Sequence, residues 1–183
     1  PIPNKPYGLV EAHGMNPVLN DIDPYWGSVW AIAEGMSNLV AAGGDPTKAV
    51  LTNNYVTATP DNHVMGALDM MVDAVCDGME ALERPVISGK DSLSSRFKRK
   101  DIEGNVVEVI DVPPVLTITA ASRIDDISKT VTTDFKKTGS TLVLVGKADY
   151  EAMGGSIFYE THNGSSANLP KVDLDQLPRT LKG

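Results

Sequence analysis

The chain has 183 residues, 42% of them hydrophobic and 22% charged, a length for one domain or one domain with part of a second and a composition that argues against disorder, collagen and coiled coil. Sixteen Lys and Arg against twenty-four Asp and Glu leave a net charge of -8, the wrong sign for a general nucleic-acid binder. No apolar run approaches the roughly 18 residues that cross a bilayer, and the single Cys76 can make neither an internal disulfide nor a thiolate metal site alone. The expectation is a cytoplasmic protein with no membrane or nucleic-acid partner, exposing about 8,500 Å² if it folds as a compact monomer of this mass.

Residues 1–21 hold four prolines and several turn formers and read as an extended lead-in. Asp23-Pro24 then opens a helix, with a capping side chain followed by proline at the first helical position. Val29, Ile32, Ala33, Met36, Leu39 and Val40 recur at helical spacing until Gly43-Gly44 ends the run. Lys48 to Tyr55 is a β-branched and polar run that reads as a strand. Thr59-Pro60 opens a second helix, with Val64, Met65, Leu68, Met71, Val72, Val75, Met79 and Leu82 on one face. Cys76 in this helix reads as a small core residue.

Pro85 to Ser88 reads as a short buried strand leading into a polar loop, Gly89-Lys90-Asp91-Ser92. A hairpin follows around Asp101 to Asn105, with Val106 to Ile110 as its second arm. Val115 to Ala121 is a strand, Asp125 to Lys137 a linker, Thr141 to Val145 another apolar strand and Met153 to Ser156 a turn, while Leu177 to Gly183 ends the chain without a recognisable closing element. The order predicts an α+β fold, a mixed β-sheet covered by two long helices. A boundary is expected near Thr138, with residues 1–137 forming the first domain and 138–183 the opening of a second.

Glu34 and Asn38 stand four residues apart on the first helix, so a carboxylate and an amide oxygen share one face. That pair suits a hard cation such as Mg²⁺, which takes few protein oxygens and completes its shell with water and phosphate; a solvated Glu beside a locally bonded Asn is the plainer alternative. In Gly89-Lys90-Asp91-Ser92 the glycine admits a ligand close to the backbone, and the lysine, carboxylate and hydroxyl are groups that hold phosphate and metal. The spacing is not that of a Walker loop, and a turn of small polar residues explains the same pattern. Arg96, Lys98, Arg99 and Lys100 concentrate positive charge, either toward a phosphorylated ligand or as a solvated hairpin. His13, His63 and His162 are dispersed, which argues against a zinc enzyme.

Taken in order, Glu34 to Pro46, Leu51-Thr52-Asn53-Asn54-Tyr55 and Pro85 to Ser94 resemble the phosphoribosylformylglycinamidine synthase family. Pro113 to Ile118, Gly139 to Gly146 and Met153 to Ser156 continue the resemblance, which runs from about Asp23 to Tyr159. It implies an aminoimidazole-ribonucleotide-synthetase type of fold, here the N-terminal domain of the family's second module with the start of its C-terminal domain. It also implies an ATP-dependent ligase of purine biosynthesis that uses Mg²⁺, acts on a phosphorylated nucleotide substrate, and works with a first synthetase module and a glutaminase. By the same resemblance Glu34 and Asn38 match metal-holding positions, Asn53, Gly89 and Lys90 ATP-contacting ones, and Ser92 a substrate-contacting one. Lys90 stands where small family members carry an amide; a cation cannot ligate Mg²⁺, so Lys90 is expected to meet phosphate directly. Glu11 to Pro17 mimics the family's catalytic-histidine loop, but its place ahead of the second-module helix argues against a catalytic His13. The resemblance implies no activity for this stretch alone, and a homodimer through the surface that would face the first module. A non-catalytic nucleotide-binding or scaffold module is the alternative reading.

Overall fold

The sequence from Gly8 to Gly14 alternates small or apolar residues with Leu9, Glu11 and His13, which is the period of a half-buried strand. In the computed structural model, which describes residues 1–146, 148–164 and 166–182, this stretch is β1 (Gly8–Gly14), with strictly alternating burial. It is followed by α1 (Pro17–Ile22). The lead-in is therefore packed structure, not extended chain. Asn16 caps α1 by accepting from the Leu19 N–H at 3.0 Å. Asn20, fully buried, fastens α1 to its surroundings: its amide donates to Pro24 O at 3.1 Å and Ser28 Oγ at 2.9 Å, and its oxygen accepts from the Leu116 N–H at 3.4 Å.

The first long helix, α2 (Pro24–Ala41), begins at the expected cap, with Asp23 accepting from the Trp26 N–H at 3.0 Å. It closes through Gly43, whose φ of 94° is open to glycine at no steric cost. β2 (Val50–Thr57) leads into α3 (Asn62–Leu82). This helix starts two residues later than the Thr59-Pro60 reading, because Asp61 supplies the cap by accepting from the Val64 N–H at 2.8 Å. β3 (Val86–Leu93) takes in the whole Gly-Lys-Asp-Ser segment. β4 (Arg96–Lys100) and β5 (Val106–Asp111) form the hairpin, and β6 (Val115–Ile124) completes the strands.

The main sheet has the order β1-β6-β2-β3, with β2 and β3 parallel and the other pairs antiparallel. Helices α2 and α3 cover one face, where Ile32, Met36, Leu39, Leu51, Met71, Leu116 and Ile118 are fully buried. The expected α+β architecture is the one observed. Tyr25 on α2 ties the helices together by donating to Asp77 Oδ2 on α3 at 2.6 Å. That bond, then burial, then the negative charges of Asp77 and Asp73 push the Tyr25 hydroxyl up to about 12 from 10.0. Folding favours the protonated hydroxyl, so its contribution is whole below pH 10 and vanishes as pH rises through about 12. Urea midpoints should show the native chain losing more stability than Tyr25→Phe across that window. The difference should stay under about 1 kcal/mol, because the pair is open to solvent.

Other sequence expectations are corrected. Cys76 is exposed, since it lies one residue past buried Val75 on the far side of α3. The 141–145 stretch is irregular, with Leu142, Val143, Leu144 and Val145 60–79% exposed; no neighbouring strand among the described residues satisfies its backbone, and a strand does not form without one. Beyond it come α4 (Ile157–Thr161) and α5 (Leu177–Lys182). In α5, Leu177 and Leu181, one turn apart, are buried in the same core, so this stretch is a packed element. The total exposed surface is 11798 Å², well above the roughly 8,500 Å² of a compact monomer.

Candidate functional site

The sheet register sets the geometry. Gly14, Ile118, Asn53 and Gly89 form one row across all four strands. β1 and β3 are three strand spacings apart, so Gly14 and Gly89 are separated by about 14 Å. Glu34 and Asn38 belong to the β1 end of that row. Glu34 Oε2 accepts from the Met15 N–H at 2.7 Å, and the Asn38 amide donates to His13 O at 3.0 Å. Both side chains thus hold the exit of β1 against α2, leaving Glu34 Oε1 and Asn38 Oδ1 to offer a cation. Among the described residues no three His, Cys, Asp or Glu side chains converge on a metal-sized site; a cation here would rest on two protein oxygens and draw the rest of its shell from water and phosphate.

The Gly89–Ser92 segment is neither a buried strand nor a loop. It is the exposed edge of the sheet, paired residue by residue with Asn53 to Val56, and strand alternation divides its side chains between two faces. Gly89 shares the helix-side face with Asn53: a methyl group at Gly89 would overlap Asn53 Oδ1, so this glycine is the space in which the Asn53 side chain lies. Lys90 and Ser92 point to the opposite, open face, beside their register partners Asn54 and Val56. The structure therefore brings Asn53 and Gly89 together, brings Lys90 and Ser92 together, and keeps both pairs away from Glu34 and Asn38. None of the six lines the cleft of about 360 Å³ between the end of α3 and α5, or the cleft of about 280 Å³ at the hairpin base.

The open face is a polar surface of half-buried and exposed side chains. His13 Nδ1 meets Thr119 Oγ1 at 2.9 Å, in register with Thr52 and Ser88. The next row is Thr117, Asn54 and Lys90. The period of two along β2 puts Asn54, not Asn53, on the face of the lysine. The hairpin cations occupy β4 and not the tip. Arg96 pairs with Asp111 through contacts of 2.5 and 3.0 Å, and Arg99 with Glu108 at 2.7 Å, which leaves Lys98 and Lys100 unpaired among the described residues. No helix among the described residues is long and apolar enough to cross a membrane.

A mixed four-stranded sheet with two long helices on one face is the fold that comparison with known proteins also finds. Residues 9–110 match the AIR synthase related protein, N-terminal domain, and the chain belongs to that family. It is 31% identical over 178 residues to the phosphoribosylformylglycinamidine synthase subunit PurL of Thermoplasma volcanium, which covers 97% of this chain and 22% of the relative. The corresponding subunit of Deinococcus radiodurans is 28% identical over 188 residues, covering 100% and 24%. Among solved structures, Thermotoga maritima PurL complexed with AMPPCP superposes with a TM-score of 0.58 at 22% identity over 71% of this chain and 20% of that one. PurLQS from Thermotoga maritima gives 0.54 at 23% identity over 70% and 19%. At that identity the structures establish the shared fold. The chain spans under a quarter of the length of the relatives it matches.

Proposed function

We propose that this chain is part of a phosphoribosylformylglycinamidine synthase, an ATP-dependent ligase of purine biosynthesis, and supplies one synthetase-type N-terminal domain. In the proposed reaction the formamide oxygen of formylglycinamide ribonucleotide is phosphorylated by ATP, and glutamine-derived ammonia then displaces phosphate to give formylglycinamidine ribonucleotide. Such catalysis is chiefly positioning and neutralisation of phosphoryl charge. In this reading ATP crosses the exposed edge of β3, meeting Asn53 and Gly89 on the helix side and Lys90, a point charge on phosphate, on the open side, where Ser92 meets the substrate. Mg²⁺ would be held by the free oxygens of Glu34 and Asn38 and would supply charge neutralisation on the nucleotide phosphates.

The observation that supports this reading most is the open sheet face. It sets two of the proposed ligand contacts, Lys90 and Ser92, on one surface that no helix among the described residues covers, and we read it as half of a site. A first synthetase module is the proposed second half, with a glutaminase as ammonia source, in the cytoplasm. The surface excess over a compact monomer agrees with such covering, as do the uncovered apolar residues at 142–145, here assigned to a C-terminal domain opening at residue 138 after an N-terminal domain of residues 1–137. The chain alone should give no turnover with ammonia as donor, and clear turnover would refute that. A homodimer through the open face is proposed for the isolated chain.

One observation favours a non-catalytic scaffold instead: Glu34 and Asn38 already have structural work, bonding the backbone of Met15 and His13. Two substitutions separate the readings. Glu34→Gln keeps an oxygen for the Met15 N–H, so stability without ligand should stay within about 0.5 kcal/mol of the native chain. Glu34→Ala should cost about 1–2 kcal/mol. Magnesium-AMPPCP at a hundred times its Kd should stabilise the native chain by about 2.7 kcal/mol, read as a thermal shift, and both variants should lose that shift. No shift in the native chain would leave the scaffold reading.

A further inference from the structure

We propose that the cleft between the end of α3 and α5 binds a small organic anion, a phosphate monoester with an apolar body, held by Arg84, Arg179 and Lys182. The cleft is separate from the open sheet face. Its walls come from residues ahead of β2 and β3 and from α5, whereas Lys90 is four residues into β3, about 13 Å from Val86.

At about 360 Å³ the cleft has the size of a small-molecule site, and Met36, Leu82 and Leu181, all buried, give it an apolar floor. Arg84, Arg179 and Lys182 line it against two acids, Glu83 and Asp175, a local excess of positive charge in a chain whose net charge is -8. Arg84 is already fixed in place. Its Nε donates to Leu82 O at 3.3 Å and its Nη1 to Thr47 O, which leaves Nη2 to donate to a ligand. An arginine pinned by two carbonyls loses little further freedom when it takes a phosphate oxygen. Arg179 and Lys182 stand three residues apart on α5, hence on one face, and Leu177 and Leu181 anchor that helix in the core. None of the three cations makes an ion pair among the described residues, although Glu83 and Asp175 line the same cleft. Capping the carbonyl end of α3 occupies Arg84 alone, so it does not account for the pair on α5. Three like charges around one hollow repel one another, and a dianion among them removes that cost. The cations thus favour a phosphate over a singly charged carboxylate, and the floor favours an ester over the inorganic ion.

The test is an NMR titration of the full chain with phenyl phosphate near pH 8, where the ester is a dianion. Amides of residues 81–84 and 177–182 should shift. Inorganic phosphate should bind about tenfold more weakly, the worth of about 55 Å² of apolar contact, and benzoate at least about threefold more weakly for want of the second charge. Arg179→Ala and Lys182→Ala should each weaken phenyl phosphate about tenfold and leave the melting temperature without ligand unchanged, since both side chains are exposed. Lys98→Ala, which removes an unpaired cation elsewhere, should leave the Kd as it was. No shift at residues 81–84 and 177–182, an unchanged Kd in both α5 variants, or equal weakening by Lys98→Ala overturns the site. Shifts confined to residues 89–92 would place the phosphate on β3 and also overturn it. Benzoate binding as tightly as phenyl phosphate overturns the assignment of a phosphate.

Discussion

Gly14→Ala should leave the chain unable to fold cooperatively, with no sigmoidal transition in urea and lost chemical-shift dispersion. A methyl group at position 14 would overlap Ala31 O and lie 2.5 Å from Gly35 N. Both obstacles are backbone atoms of α2, so no side chain can rotate away, and β1 and α2 would have to part. Overpacking in a core ordinarily costs about 1–3 kcal/mol and occasionally more; where backbone meets backbone the upper end applies. Parting the two elements also withdraws the Met15 N–H from Glu34 and His13 O from Asn38. The same substitution at Gly89 should be far milder, since the atom it meets is the movable end of the Asn53 side chain. A folded Gly14→Ala protein with native stability would show that β1 does not lie on α2 as described.

Ile32→Ala should destabilise the chain by about 2–5 kcal/mol, read as a fall in the urea midpoint with little change in slope. Ile32 is fully buried, and its Cδ1 fills the notch that Gly78 leaves on α3: a Cβ at Gly78 would lie 2.7 Å from that atom and 3.6 Å from Cγ2. Gly78 is what lets the two helices approach. Gly78→Ala alone should therefore destabilise despite its better helix propensity, worth about 1 kcal/mol. Combined with Ile32→Val, which deletes only Cδ1, the alanine methyl occupies the vacated space, and the double variant should be at least as stable as the native chain. A double-mutant cycle that came out additive would deny the contact.

The parts of the fold that could be read from the sequence were those with chemical punctuation. Asp23-Pro24 and Gly43-Gly44 bracket α2, and a period of 3.6 marks α3. β1 escaped notice because its short alternation lies among prolines, and its pairing with β6, 106 residues away at His13 and Thr119, is invisible locally. α5 escaped because six residues are too few for a helical period to declare itself. The site was harder. Its residues were nominated by residue type, spacing and resemblance, and the reading of Gly89–Ser92 as a loop concealed the alternation that parts Gly89 from Lys90. Only the parallel pairing with β2 makes that segment a strand, and β2 lies more than thirty residues upstream.

β3 has a liability of its own. Paired among the described residues with β2 on one side only, it presents a row of free N–H and C=O groups, a template on which other chains can add as strands and grow into aggregates. Lys90 and Asp91, one charge on each face of this edge, oppose such stacking, and the net charge of -8 adds colloidal repulsion. Lys90→Ala therefore removes a guard as well as the proposed phosphate contact, and its solutions should be checked by light scattering before any weakened binding is credited to lost recognition.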